Sequence, residues 1–253
     1  MTTQVLDSPF PNDRTPLLRW MIFTGVCVFG AVLLWHYGLF RLMVNSDKTN
    51  ISLIIVFLYL ATTLHCLWRT SEISREMDAA HRVAAIVEKN PGKVTVAGPN
   101  VIAGDGERLP PGRVTQHIRN LVLKSGLQGR HRIDQTLLLR GLADQLRGPN
   151  QLGSFASDSL MKLGLLGTII GFIMMLAPIA GLDAANQASV KTSMGLMSDG
   201  MAVAMYTTLS GLVGSILVKV QYYMLDEATA RLFSLATDLT EVFVVSVLER
   251  ENG

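Results

Sequence analysis

The sequence predicts an all-α membrane protein, with four transmembrane helices and a helical cytoplasmic insert between the second and third. Three observations carry this. Of the 253 residues, 49% are hydrophobic and only 17% are charged, with a positive mean hydropathy, which is too apolar for an ordinary soluble domain of this length. Four apolar runs are long enough to cross a hydrocarbon core of about 30 Å at 1.5 Å per residue. Between the second and third runs, roughly residues 70 to 158, charge returns and no run is long enough to span.

The first run, Leu17 to Phe40, is interrupted only by Arg19 and His36 near its ends. It is too long for the apolar core of a signal peptide and no small-residue cleavage site follows it, so a retained helix is expected. A short polar connection with Arg41, Asp47 and Lys48 leads into the second run, Ile51 to Trp68, which closes on an interfacial aromatic and Arg69. Together these form an N-terminal hairpin, residues 1–69.

The insert, residues 70–158, opens on Ser71 to Asn90, where Ile73, Met77, Ala80, Ala84 and Val87 recur at helical spacing and Pro91-Gly92 ends the pattern. Lys93 to Gly112 carries Gly98-Pro99 and Pro110-Pro111-Gly112 and reads as a loop or a weak hairpin. Two amphipathic helices follow: Val114 to Leu127, with Ile118, Leu121 and Val122 on one face, and Ile133 to Leu146, with Leu137, Leu138, Leu142 and Leu146. The last part, residues 159–253, holds the third span, Leu160 to Leu182, and the fourth, Met201 to Met224. The fourth continues as a helix beyond the bilayer, with Leu225, Leu232, Leu235, Leu239 and Val242 on one side.

Lysine and arginine placement sets orientation, because cytoplasmic connections carry the excess. Basic residues are frequent from Arg69 to Arg147, whereas the two short connections on the other side hold only Arg41, Lys48 and Lys191. The insert and both termini are therefore expected inside. A net charge of +2 with no continuous basic stripe gives no reason to expect a nucleic-acid partner.

The spans contain no central Asp or Glu. Lys162, Asp199 and Lys219 fall at the ends of the apolar runs and read as interfacial anchors at helix ends. His65 reads as a histidine bonded to a neighbouring helix rather than a metal ligand. Cys27 and Cys66 lie in apolar runs and behave as small hydrophobes. No nucleophile is paired with a base, and Ser157-Asp158-Ser159 reads as a helix start, so neither an enzyme nor a cofactor or metal site is expected.

The third and fourth spans instead concentrate small and hydroxyl residues. Gly164, Thr168 and Gly171 share a face of the third, and Ala204, Thr208, Gly211 and Ser215 form a comparable stripe on the fourth. Periodicity alone favours close helix packing; the alternative is a narrow pore wall in which threonine hydroxyls are the polar groups. Here the residues carry a resemblance. Gly164-Leu-Leu-Gly-Thr168-Ile-Ile-Gly171 resembles the third-span motif of the MotA/TolQ/ExbB proton-channel family, and Ala204-Met-Tyr-Thr-Thr208-Leu-Ser-Gly211-Leu212 is similar to the pattern of its next span, over roughly residues 157 to 245.

The resemblance implies a homopentamer in the bacterial inner membrane. Its last two spans would surround single-span partner chains of the MotB/TolR/ExbD kind. A partner aspartate would carry the proton past Thr168 and Thr208, and Gly164, Gly171, Ala204, Gly211 and Ser215 would line the pore. Four spans resemble the flagellar stator branch, whereas the glycine motif is closer to the envelope-energising branch. The proline that often follows Gly-Leu in the latter is replaced by Val213-Gly214-Ser215-Ile216.

Overall fold

The computed structural model describes residues 15–38, 40–41, 43, 47, 49–89, 94–98, 100–104, 106–128, 134–181 and 187–251. In chain order these form α1 (Thr15–His36), α2 (Ile51–Lys89), β1 (Val94–Ala97), β2 (Asn100–Ala103), β3 (Glu107–Arg108), α3 (Arg113–Gln128), α4 (Thr136–Arg147), α5 (Gln151–Leu176), α6 (Gln187–Leu239) and α7 (Ser246–Glu251). A 3-10 turn, Gly148–Asn150, joins α4 to α5, another, Ala177–Gly181, follows α5, and a π turn, Thr240–Val245, links α6 to α7. Among the described residues, four stretches are long and apolar enough to cross a membrane: Leu17–His36, Ile51–Lys89, Thr136–Ile179 and Gln187–Glu249. Pro91-Gly92, Leu182 at the expected end of the third span, Ile133, and Lys48, Asp183 and Asn186 in the outer connections lie outside the described residues.

Several helices are longer than the apolar runs inside them. The second span and the amphipathic segment after it are one helix of 39 residues, because no glycine or proline interrupts Ile51 to Lys89. α5 begins at Gln151, so Ser157-Asp158-Ser159 is not a helix start but lies inside the helix. α6 begins at Gln187, well ahead of Met201. Lys162, Asp199 and Lys219 therefore stand within helices, at the ends of uncharged runs rather than at helix ends.

The chain divides into two compact units, one of Met1–Leu18, Arg69–Asn150 and Met224–Gly253, the other of Arg19–Trp68 and Gln151–Tyr223. In the first, Ile73, Met77, Ala80, Ala84 and Val87 of α2 are all buried, as their spacing predicts, together with Ile118 and Leu121 of α3 and Leu142 and Leu146 of α4. Leu137 is 75% exposed; at about 100° per residue it stands roughly 140° round the helix from Leu142 and cannot share its face. Leu225, Leu232, Leu235 and Leu239 are buried, but Val242 is exposed and Val244 and Val245 take its place. The π turn adds a residue to one turn and so shifts the phase of the buried stripe.

Residues 94–108, expected as a loop or weak hairpin, form a three-stranded antiparallel sheet in the order β1-β2-β3, with Val94 opposite Ala103 and Ile102 opposite Arg108. Gly98, at φ +63, makes the first turn. Val94, Val101 and Ala103 are buried, and α3 packs on the first two strands. Among the described residues the other regular elements are helical.

Polar groups tie these helices together. Arg69, almost fully buried, donates to Glu72 at 2.5 Å and to the Leu146 carbonyl at 3.2 Å. Arg113 donates to the other Glu72 oxygen at 2.5 Å and to the Gln145 carbonyl at 2.7 Å, and its backbone N–H donates to Glu76 at 2.8 Å. Glu76 thus satisfies one of the free amides at the α3 N-terminus, where a carboxylate also suits the helix dipole.

His117 of α3 is 4% exposed. Burial pushes its imidazole below the usual histidine value, and a hydrogen bond to Gln135 only partly opposes this. The unfolded chain then takes up a proton more readily than the folded one, so stability should be full above about pH 6.5 and fall as pH drops towards the depressed folded value. The detergent-solubilised chain should lose more thermal stability between pH 7.5 and 5.5 than His117→Gln does. Equal losses would exclude His117 as the source.

Candidate functional site: the glycine-packed hairpin

In the second unit α5 and α6 run antiparallel, with small residues where the backbones meet. A Cβ on Gly164 would approach the Gly211 Cα to 3.2 Å, and one on Gly211 would stand 2.7 Å from the Gly164 Cα and from the Leu160 carbonyl. A Cβ on Gly171 would stand 2.5 Å from the Ala204 amide nitrogen and 2.6 Å from the Gly200 carbonyl oxygen, and one on Gly200 would stand 2.5 Å from the Met175 amide nitrogen. Further in, the Ser157 hydroxyl pairs with that of Ser215 at 2.9 Å, and Gly153 lies against the Tyr222 ring. Absence of a side chain on one helix allows the other to approach to backbone contact. Gly164, Gly171, Gly211 and Ser215 are buried along this seam and Ala204 is half-buried, the arrangement that the packing reading requires.

Thr168 and Thr208 differ from their neighbours. Their hydroxyls bond each other across the seam. Thr168 also donates to the Gly164 carbonyl at 3.2 Å, and Thr208 to the Ala204 carbonyl at 2.9 Å and, more weakly, to Gly164 at 3.4 Å. Each hydroxyl has one proton and two lone pairs, so whichever threonine donates to a carbonyl can still accept from the other. The pair sits at the edge of the seam: Thr168 is half-buried and Thr208 exposed. Thr207, which the sequence reading did not single out, turns inward; it is fully buried against Gly167 and donates to its own helix at Val203, 2.8 Å away.

α2 covers another side of α6. Thr63 donates to Gln221 at 3.2 Å, and the Tyr222 hydroxyl lies 2.7 Å from Nδ1 of His65, which is bonded to a neighbouring helix as expected. Ser210 donates to the Met43 sulfur at 3.2 Å. At about 100° per residue, Thr208 points roughly 160° away from Ser210 and 140° away from Gln221, but only about 40° from Tyr222, whose ring lies over Gly153 and whose hydroxyl reaches His65 about four turns further along the helix. The threonine pair therefore faces away from Ser210 and Gln221, and Thr208 is exposed. The inward partners Ser157, Gly200 and Tyr222 were missed because nothing marks them until the antiparallel register is known.

A long hairpin packed backbone to backbone, with a hydroxyl pair on its open flank and a further helix behind it, defines a polytopic helical membrane protein in which the polar groups beside the seam from Gly200 to Val218 are hydroxyls and, among these described residues, no carboxylate occurs. Residues 118–237, a little under half of the chain, match the family model of the MotA/TolQ/ExbB proton channel family. That family is one of proton-channel subunits of energy-transducing motors, which work with a partner subunit. Comparison with curated proteins and with solved structures gives no match.

Proposed function

We propose that this chain is the pore-forming subunit of a motor driven by the proton-motive force, conducting protons with a single-span partner that bears an intramembrane aspartate. The observation that carries this is the Thr168–Thr208 pair on the flank of the hairpin that α2 leaves open. Five copies would turn these flanks towards a common axis. Each would offer the partner carboxyl a hydroxyl able to donate or accept as that group changes protonation. Gly164, Gly171, Ala204, Gly211 and Ser215 form the wall behind the pair, holding the helices close. The chain sits in the inner membrane with both termini and the insert, residues 70–158, in the cytoplasm, following the positive-inside distribution.

The buried glycine seam also suits a second reading, a scaffold that docks a cytoplasmic partner without conducting. Native mass spectrometry and flux separate them. The channel reading expects a pentamer in mild detergent and a pH change in liposomes containing the chain and its partner. Monomers or dimers only, or pentamers that pass no protons with the partner bound, would leave the scaffold reading.

A further inference from the structure

α3 and α4 leave a cavity of about 150 Å³ between them, and every residue lining it belongs to one of these two helices. That is close to the volume of an engineered cavity that takes up one benzene ring. Its α3 side is polar: Arg113, Gln116, His117 and Asn120 follow at three-to-four spacing and share a face. Its α4 side is mostly apolar, with Leu137, Leu138, Leu142 and Gly141, and ends at Gln145. Leu137, which the buried stripe of α4 does not use, is part of this wall.

Two features distinguish this cavity from a packing gap. Gly141 stands in the middle of α4, where glycine is the least favourable residue after proline, yet a Cβ there would meet nothing within 4 Å. No neighbour requires the glycine, and its missing side chain leaves open space in the wall. His117 is 4% exposed, and among the described residues its Nε2 has no hydrogen-bond partner. A buried polar nitrogen in that state is costly unless something outside the chain meets it.

Charge is not what the cavity offers. The Arg113 guanidinium is already bonded to Glu72 and to the Gln145 carbonyl, and burial holds the His117 imidazole neutral near pH 7. Gln116, Asn120 and Gln145 are exposed, and each of their side-chain amides carries donors and an acceptor. An apolar wall opposite an uncharged hydrogen-bonding one suits a flat ring, which has apolar faces and a polar edge.

We propose that this cavity binds one uncharged nitrogen heterocycle of the nucleobase type, its faces against the α4 leucines and its donor and acceptor edge on the α3 amides and His117. The site uses no residue of the glycine-packed hairpin and does not rest on proton conduction. The test is a ligand-detected NMR titration of the full-length protein in lipid nanodiscs with adenine and with cytosine, empty nanodiscs serving as blank. Both faces of a nanodisc are in water, so the result does not depend on orientation. At least one of the two bases should bind saturably at millimolar concentration. Gly141→Leu fills the open space and should weaken binding at least about tenfold. Gly126→Leu, also where a Cβ meets nothing within 4 Å but outside the cavity, should leave it unchanged. Gln116→Ala combined with Asn120→Ala should weaken binding about tenfold, as for two lost hydrogen bonds. Both residues are exposed, so the fold should survive, which thermal unfolding checks. Failure of both bases to bind saturably overturns the site, as does binding that Gly141→Leu leaves unchanged. Binding that Gly141→Leu removes but the amide variant leaves intact would mean a slot for any apolar ring, and overturns the ligand class.

Discussion

Replacing both Thr168 and Thr208 by valine should abolish partner-dependent proton flux while the assembled complex survives. Valine keeps the branched shape of threonine and removes only the hydroxyl, so the seam around Gly164 is not disturbed. The pair carries two hydroxyl protons, so at most two bonds are lost from among the link between the threonines and the donations to the Gly164 and Ala204 carbonyls. Bonds of this kind in membranes average about 0.6 kcal/mol, too little to unmake a hairpin packed along its length. Flux depends on the pair differently, because among the described residues the other hydroxyl at that level, Thr207, is buried in the seam and out of reach of a carboxyl on the open flank. Each single variant should lower flux at least about tenfold, equivalent to about 1.4 kcal/mol on the rate-limiting step. Thr207→Val supplies the comparison, since that hydroxyl bonds its own helix and faces away from the open flank; its flux, like that of lipid-facing Ile216→Val, should be near normal. If Thr168→Val and Thr208→Val conduct normally at normal assembly, the pair is packing only.

Much of the fold could be read in advance because the signals were local. Apolar run length located the four spans, and three-to-four spacing picked out the buried face from Ile73 to Val87 without knowledge of what covers it. The failures occur where burial depends on a distant partner or on backbone phase. Val242 continues the spacing of Leu239, yet the π turn moves Val244 and Val245 inward instead. The strands at 94–108 contain too few residues for alternation to outweigh their glycines and prolines; packing on α3 holds them. At the candidate site, Thr168 and Thr208 could be found because the small-residue stripes frame them. Their bond to each other, and the burial of Thr207 one position away, follow only from the antiparallel register of α5 and α6. Sequence periodicity places a residue on a face, but the neighbouring helix decides whether that face is seam or flank.

Adding one methyl group at Gly211 should disrupt assembly, whereas the same change at Gly214 should not. A Cβ at 211 would stand 2.7 Å from the Gly164 Cα and from the Leu160 carbonyl oxygen, both backbone atoms that no rotamer change can move. Relief requires the helices to separate, which weakens van der Waals contact along the seam from Ser157 to Gly200, the main attraction available between helices surrounded by lipid. Overpacking costs typically about 1–3 kcal/mol, and here the shift is shared by every contact on the face. Gly214 is buried too, but a Cβ there meets only Leu160 side-chain atoms, at 3.7 and 3.9 Å, which is ordinary contact. Replacing a helical glycine by alanine without strain should even stabilise by up to about 1 kcal/mol. The expected order of damage is graded by the same distances: Gly171→Ala and Gly211→Ala worst, Gly164→Ala milder with its nearest backbone atoms at 3.2 Å, and Gly214→Ala neutral or better. Oligomer yield and thermal stability in mild detergent give the order directly. The glycine variants should lose assembly and flux together, unlike the threonine variants, which keep the first and lose the second. Equal yields for Gly211→Ala and Gly214→Ala would show that the two helices are not packed backbone to backbone at Gly164, and the threonine pair would then lose the frame that brings its hydroxyls together.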